Sequence, residues 1–186
     1  GGRELRRIKT MNRPGLLALD PNGVHLAVSS SSSLDVFGCD PASGKVVQQF
    51  RAGGPVLCLA WHPEGNLLAV ACHDGHIYLW DITTGKSQAV LTSVLSSAIR
   101  MSFSNNGDVL MTWGWDGAVR LWNPWTGQPL VISPGINAHL SGDGQHLVAR
   151  QGSKLVLRKV ASGGEYRTLP NPAAPSGELL YYGAPS

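Results

Sequence analysis

Charge is scarce in this chain of 186 residues: Asp, Glu, Lys and Arg make up only 15% of it, against about a quarter in an average soluble domain. Long hydrophobic runs are missing as well. No stretch of about 18 apolar residues occurs, so no membrane-spanning helix and no membrane partner is expected. The net charge is +3, and Arg3, Arg6, Arg7, Lys9 and Arg13 gather near the start. They form no basic stripe interleaved with stacking aromatics, so a nucleic-acid partner is not expected either. Cysteine is rare: Cys39, Cys58 and Cys72 are an odd number without framework spacing. This argues against a disulfide scaffold and for buried thiols in a reducing, cytoplasmic compartment.

What the chain does have is turn-forming residues and a modest store of apolar ones. Its 23 Gly and 12 Pro recur at short intervals, and 42% of its residues are hydrophobic. That pattern predicts an all-β fold of many short strands joined by tight turns, with enough apolar surface for one packed domain. A repeat organises it. The stretches ALDPNGVHLAVSS, AWHPEGNLLAVAC and SFSNNGDVLMTWG begin at positions 18, 60 and 102, a period of 42, and a looser copy, HLSGDGQHLVARQ, begins at 139. The segments that follow repeat in step: HDGHIYLWDITTGK (73–86) with WDGAVRLWNPWTGQ (115–128), and more weakly SLDVFGCDPASGK (33–45) and KLVLRKVASGGE (154–165).

Each unit divides into four short strands. In the second, VLCLAW (56–61) ends at a His-Pro-Glu-Gly turn, LLAVACH (67–73) follows, Asp74-Gly75 turns the chain, HIYLW (76–80) runs back, and KSQAVL (86–91) forms an outer strand. Asp74-Gly75 and Asp116-Gly117 are hairpin signals, because glycine relieves the positive φ of such turns. Four antiparallel strands every forty-odd residues describe one blade of a β-propeller. A sandwich would supply strands but no reason to repeat Asp-Gly and Leu-Trp in register.

The residues DGHIYLWD (74–81) and DGAVRLWN (116–123) resemble the WD-repeat β-propeller family. Trp80-Asp81 and Trp122-Asn123 stand where that family's Trp-Asp closes the third strand, with Phe37 and Arg158 in the same column of the outer units. The resemblance implies four four-stranded blades over 15–51, 55–92, 98–133 and 136–170. It further implies an outer strand of a preceding blade over 1–9 and the start of another over 177–186, hence a segment of a larger, incomplete propeller. The family often places a Gly-His pair ahead of the first strand, and its imidazole joins the hairpin Asp and the Trp in a hydrogen-bonded support. Here RAGGPVL (51–57) and TSVLSSAI (92–99) lack that histidine. Asp74, Asp116, Trp80 and Trp122 are therefore expected to keep an incomplete network, and the blades to rest on packing.

Cys72, His73, Asp74 and His76 invite a metal reading. Strand alternation argues against it, sending Cys72 to the face opposite His73 and His76, which should confront each other across the hairpin. His25 and His146 fall in a column that tolerates Leu67 and Val109, and His62 is expected in a surface turn. Trp113 and Trp115 flank Gly114 and should share a face, with Trp115 beside the turn as an interface anchor. No catalytic residue, cofactor site or metal site is expected, since no nucleophile elbow, phosphate loop or paired-acid motif is present. The expected function is a non-catalytic scaffold whose loop face, carrying His73, His76 and Trp115, binds a protein or peptide partner, or else the remaining blades of a larger propeller. The other readings are the propeller portion of an enzyme, such as a hydrolase or quinone-dependent dehydrogenase, and a regulatory domain for catalysis elsewhere in the chain.

Overall fold

A computed structural model describes residues 4, 7, 8, 13–92 and 98–160. Among them are fifteen strands in four antiparallel sheets, and no helix. The chain forms two compact units, Gly1–Ser96 and Ser97–Ser186. The expected strands over 1–9 and 177–186 lie wholly or mostly outside the described residues, as do residues 161–170 of the fourth blade.

The first unit holds two blades. One is the meander β1 (Pro14–Leu19), β2 (Leu26–Ser30), β3 (Asp35–Cys39) and β4 (Val46–Arg51); the other is β5 (Val56–Trp61), β6 (Leu67–Cys72), β7 (His76–Asp81) and β8 (Lys86–Thr92). Every residue of β6 is buried, which explains its unbroken apolar sequence LLAVAC: an inner strand covered on both faces has no polar side to alternate with. Ala27, Val36 and Phe50 of the first blade pack against Trp61, Leu68, Val70 and Trp80 of the second. Phe50 stacks on Trp80 with centroids 4.6 Å apart, and Trp61 Nε1 donates to the Ala18 carbonyl at 2.8 Å. Truncating a fully buried leucine here, such as Leu68, removes about 2–5 kcal/mol.

The second unit repeats the plan with β9 (Ala98–Phe103), β10 (Leu110–Gly114), β11 (Ala118–Trp122) and β12 (Pro129–Pro134), followed by β13 (Ile136–Leu140), β14 (His146–Gln151) and β15 (Lys154–Lys159). Val109, Met111, Val119 and Leu121 pack on Ala138, Leu147, Ala149 and Val160. Trp122 Nε1 donates to Thr112 Oγ1 at 2.9 Å, the Trp-to-hydroxyl bond of a blade interior.

One turn is built four times. Gly23, Gly65, Gly107 and Gly144 take φ of 70°, 75°, 78° and 72°, and each donates its N–H to the carbonyl three residues earlier, at Asp20, His62, Ser104 and Ser141. These last four are not all surface residues: Asp20, His62 and Ser104 are at most 3% exposed. The expectation of a surface turn for His62 therefore fails: the residue is buried, with its N–H donated to the Leu67 carbonyl. His25 stacks on Trp61 at 6.0 Å between centroids.

Sheet register corrects the tryptophan column. Trp80 pairs with Leu68 and Trp122 with Leu110, while the equivalent Leu26 pairs with Cys39, and Phe37 pairs with Val28. Cys39, not Phe37, holds that place in the first blade. By the period of 42 the column would fall on Gly38; the serine turn, which spans six residues between the Ser29–Val36 pair where its counterpart spans five between Ala71 and Ile77, moves it one residue on, to Cys39.

Candidate partner-binding loops

The β6–β7 loop is tighter than two flanking histidines would make it. Gly75 donates its N–H to the Cys72 carbonyl at 3.2 Å and sits at φ 85°. His73 and Asp74 are thus the central residues, with glycine in the left-handed position that closes a three-residue hairpin. His73 and His76 do not face each other across the hairpin. His73 is exposed and its N–H bonds the Pro55 carbonyl at 2.8 Å, whereas His76 opens β7 and places Nδ1 3.5 Å from Asp74 Oδ2, an ion pair only when the imidazole is protonated. Cys72 is buried, and burial first, then the Asp74 charge, pushes its thiol up to about 11. Among the described residues no three of His, Cys, Asp and Glu come together as metal ligands.

Asp74 is the hub of this loop. The Tyr78 hydroxyl donates to its Oδ2 at 2.7 Å, and the His76 N–H donates to its Oδ1 at 3.0 Å. Burial opposes its ionisation, but those donors and the nearby imidazole outweigh it and hold the carboxyl below the usual range. Tyr78 is pushed the other way, up to about 12, by burial and then by its bond to Asp74. The linker ahead of β5 lies directly on this pair: a Cβ at Gly53 would overlap both Asp74 Oδ2 and the Tyr78 hydroxyl. Glycine is required there because the backbone occupies the place of a side chain.

In the second unit Gly117 (φ 71°) closes the matching loop by donating to Gly114 at 3.4 Å. Trp115 takes the position of His73 and is 84% exposed. Trp113 and Trp115 do not share a face: β10 ends at Gly114, so Trp115 leaves the strand, while Trp113 packs against the core. Asp116 Oδ2 lies 2.6 Å from Arg120 Nη1, with the two side chains 5% and 11% exposed. That oxygen takes no hydrogen bond in this geometry, so the contact is an ion pair, while Oδ1 accepts the Ala118 N–H at 3.2 Å.

Tyr78 and Arg120 are the residues that sequence reasoning missed. In place of the imidazole that RAGGPVL and TSVLSSAI lack, each hairpin aspartate has a partner four residues on, a hydrogen-bonding phenol in one and an ion-pairing guanidinium in the other. The spacing was there in the sequence: Tyr78 and Arg120 are each the third residue of the strand that leaves the hairpin, and the turn brings the aspartate back within their reach. Both hairpin aspartates thus have a partner within their own blade in place of an imidazole. The serine turn of the first unit is likewise wired internally: Ser30 Oγ accepts the Ser32 and Ser33 N–H groups, and Ser33 donates to Asp35 at 2.7 Å. With Gly15, Leu16, Pro55 and Val56 it borders a cleft of about 510 Å³.

Two stretches, 44–81 and 85–123, match the model of the family described as WD domain, G-beta repeat. The chain carries WD repeats. It is similar to telomerase protein component 1 of Mus musculus, 29% identical over 80% of this chain and 6% of that protein. It also resembles the periodic tryptophan protein 2 homolog of Schizosaccharomyces pombe, 24% identical over 83% of this chain and 19% of that protein. Protein RBL of Arabidopsis thaliana is 31% identical over 50% of this chain and 18% of its own length. The chain thus spans about a fifth or less of the curated relatives it matches. Its all-β blades are those of a partial WD-repeat propeller, a protein-interaction scaffold in its general role.

Proposed function

We propose that this WD-repeat segment is a non-catalytic scaffold that captures a protein or peptide partner on its hairpin loops, through His73 and His76 in the first unit and Trp115 in the second. The observation that carries this reading is Trp115. An indole left 84% exposed gives up the burial that would stabilise the free chain, and a partner that covers it recovers about 25 cal/mol per Å². Its loop is fixed in advance by Gly117 and by the Asp116–Arg120 pair, so little conformational entropy is lost when the partner docks. Exposed, pre-organised tryptophans are the residues that dominate interface energetics.

The test is quantitative affinity capture with the full chain, comparing wild type with Trp115→Ala and His73→Ala. Both residues are exposed, so each variant is expected to keep native stability within about 0.5 kcal/mol and to lose at least one partner that wild type retains. A double variant that keeps every partner refutes the loop-face reading.

A further inference from the structure

We propose that a second site on the second unit, between β9 and β13, binds an acidic side chain of an extended peptide partner. The site is a cleft of about 460 Å³ between β9 and β13, bordered by Arg100, Ser102, Met111, Trp113, Asn137 and His139. Each of β9 and β13 is the terminal strand of its sheet, so the cleft runs between two sheet edges whose outward backbone groups can pair with a peptide.

The β13 wall is shaped for this. Ile136 pairs with Arg150 and His139 with Val148, so the strand carries one residue more than its partner. The bulge is taken up at Asn137, which sits at φ 50°, the only non-glycine residue with positive φ among those described. Asparagine is the side-chain-bearing residue that best tolerates this left-handed region. As a result Asn137, Ala138 and His139 all border the cleft, where alternation in a regular strand would turn neighbours to opposite faces.

The lining decides what fits. Arg100 and His139 stand there with no carboxylate among the bordering residues, and among the described residues no ion pair of Arg100 is found. A guanidinium offers paired donors matched to a carboxylate, with the Asn137 amide and the Ser102 hydroxyl beside it. Trp113, packed against the core, and Met111 provide an apolar wall for the residue next to the acid. The charge pattern favours a Glu- or Asp-bearing peptide with an apolar neighbour over nucleic acid, which calls for a longer basic stripe.

The probe is a short capped peptide with one Glu between leucines, titrated into the full chain against its Gln counterpart and followed by NMR at the Trp113 indole N–H and the His139 ring. The Glu peptide is expected to shift both signals and bind about tenfold tighter than the Gln peptide, the discrimination of a charge-assisted hydrogen bond. Arg100→Gln should remove that tenfold. Asn137→Gly, which keeps the left-handed backbone, should weaken binding several-fold, and Trp115→Ala should leave it unchanged. Equal affinity for the two peptides, no loss in Arg100→Gln, or tighter binding of a single-stranded oligonucleotide at the same signals overturns the proposal.

Discussion

Removing the cation from the Asp116–Arg120 pair tests whether a local ion pair does the work of the missing histidine. In Arg120→Met the apolar stem is conserved and only the guanidinium is lost. The Asp116 carboxylate, 5% exposed, is then left in a low-dielectric pocket with one backbone donor, the Ala118 N–H at 3.2 Å. Stranding a buried charge costs about 3–5 kcal/mol, and the remaining donor places this site at the lower end, about 3 kcal/mol. Asp116→Asn strands instead a guanidinium that is 11% exposed and can turn toward water, so about 1–2 kcal/mol is expected. In the Asp116→Asn background no carboxylate remains to be stranded, and Arg120→Met should cost only about 1 kcal/mol more. The double-mutant cycle therefore predicts a coupling of about 2 kcal/mol. Urea unfolding of the full chain, followed by tryptophan fluorescence, measures all four corners. If Arg120→Met cost under about 1 kcal/mol, or the same in both backgrounds, the pair would not support the hairpin and the blade would rest on packing after all.

The equivalent support in the first unit titrates at both ends of the pH scale. Asp74 has a lowered folded-state pKa, so its contribution is complete above its unfolded value of 3.8 and fades as pH falls through the folded one. Tyr78 has a raised one, so its contribution is complete below 10.0 and is lost as pH climbs toward about 12. Tyr78→Phe should flatten both limbs of the stability–pH curve and cost about 1 kcal/mol at neutral pH; thermal unfolding across pH reads it. Gly53→Ala should displace the Tyr78 hydroxyl and cost about 1–3 kcal/mol, with a tyrosinate titration that moves back toward 10 checking the cause. Thiol labelling of the native chain should reach half-buried Cys58 before Cys72, which burial both covers and holds protonated. Equal labelling rates would show that the strand pair around Cys72 opens readily.

What the sequence discloses is what local chemistry decides. The period of 42 was legible because each turn needs a glycine: Gly23, Gly65 and Gly107 stand at that spacing, Gly144 ends the looser copy, and all four take the left-handed backbone. The all-β class and the Trp80 and Trp122 positions follow from the same periodicity. Register was less secure: one added residue in the serine turn moves the tryptophan column of β3 from Gly38, where the period of 42 puts it, to Cys39, and the expected Phe37 lies two residues away. The supports of the two hairpins were hidden for a different reason. A carboxylate near the end of a strand needs a donor, but it does not specify which one, and a phenol or a guanidinium four residues on serves as well as an imidazole from a preceding loop. The linker ahead of β5 carries Gly53 and Gly54 close against Asp74 and Tyr78, with no room there for a side chain. The Asn137 bulge lay beyond sequence reasoning altogether, since a left-handed asparagine in mid-strand follows from how β13 must pair with β14 and not from its neighbours in the chain.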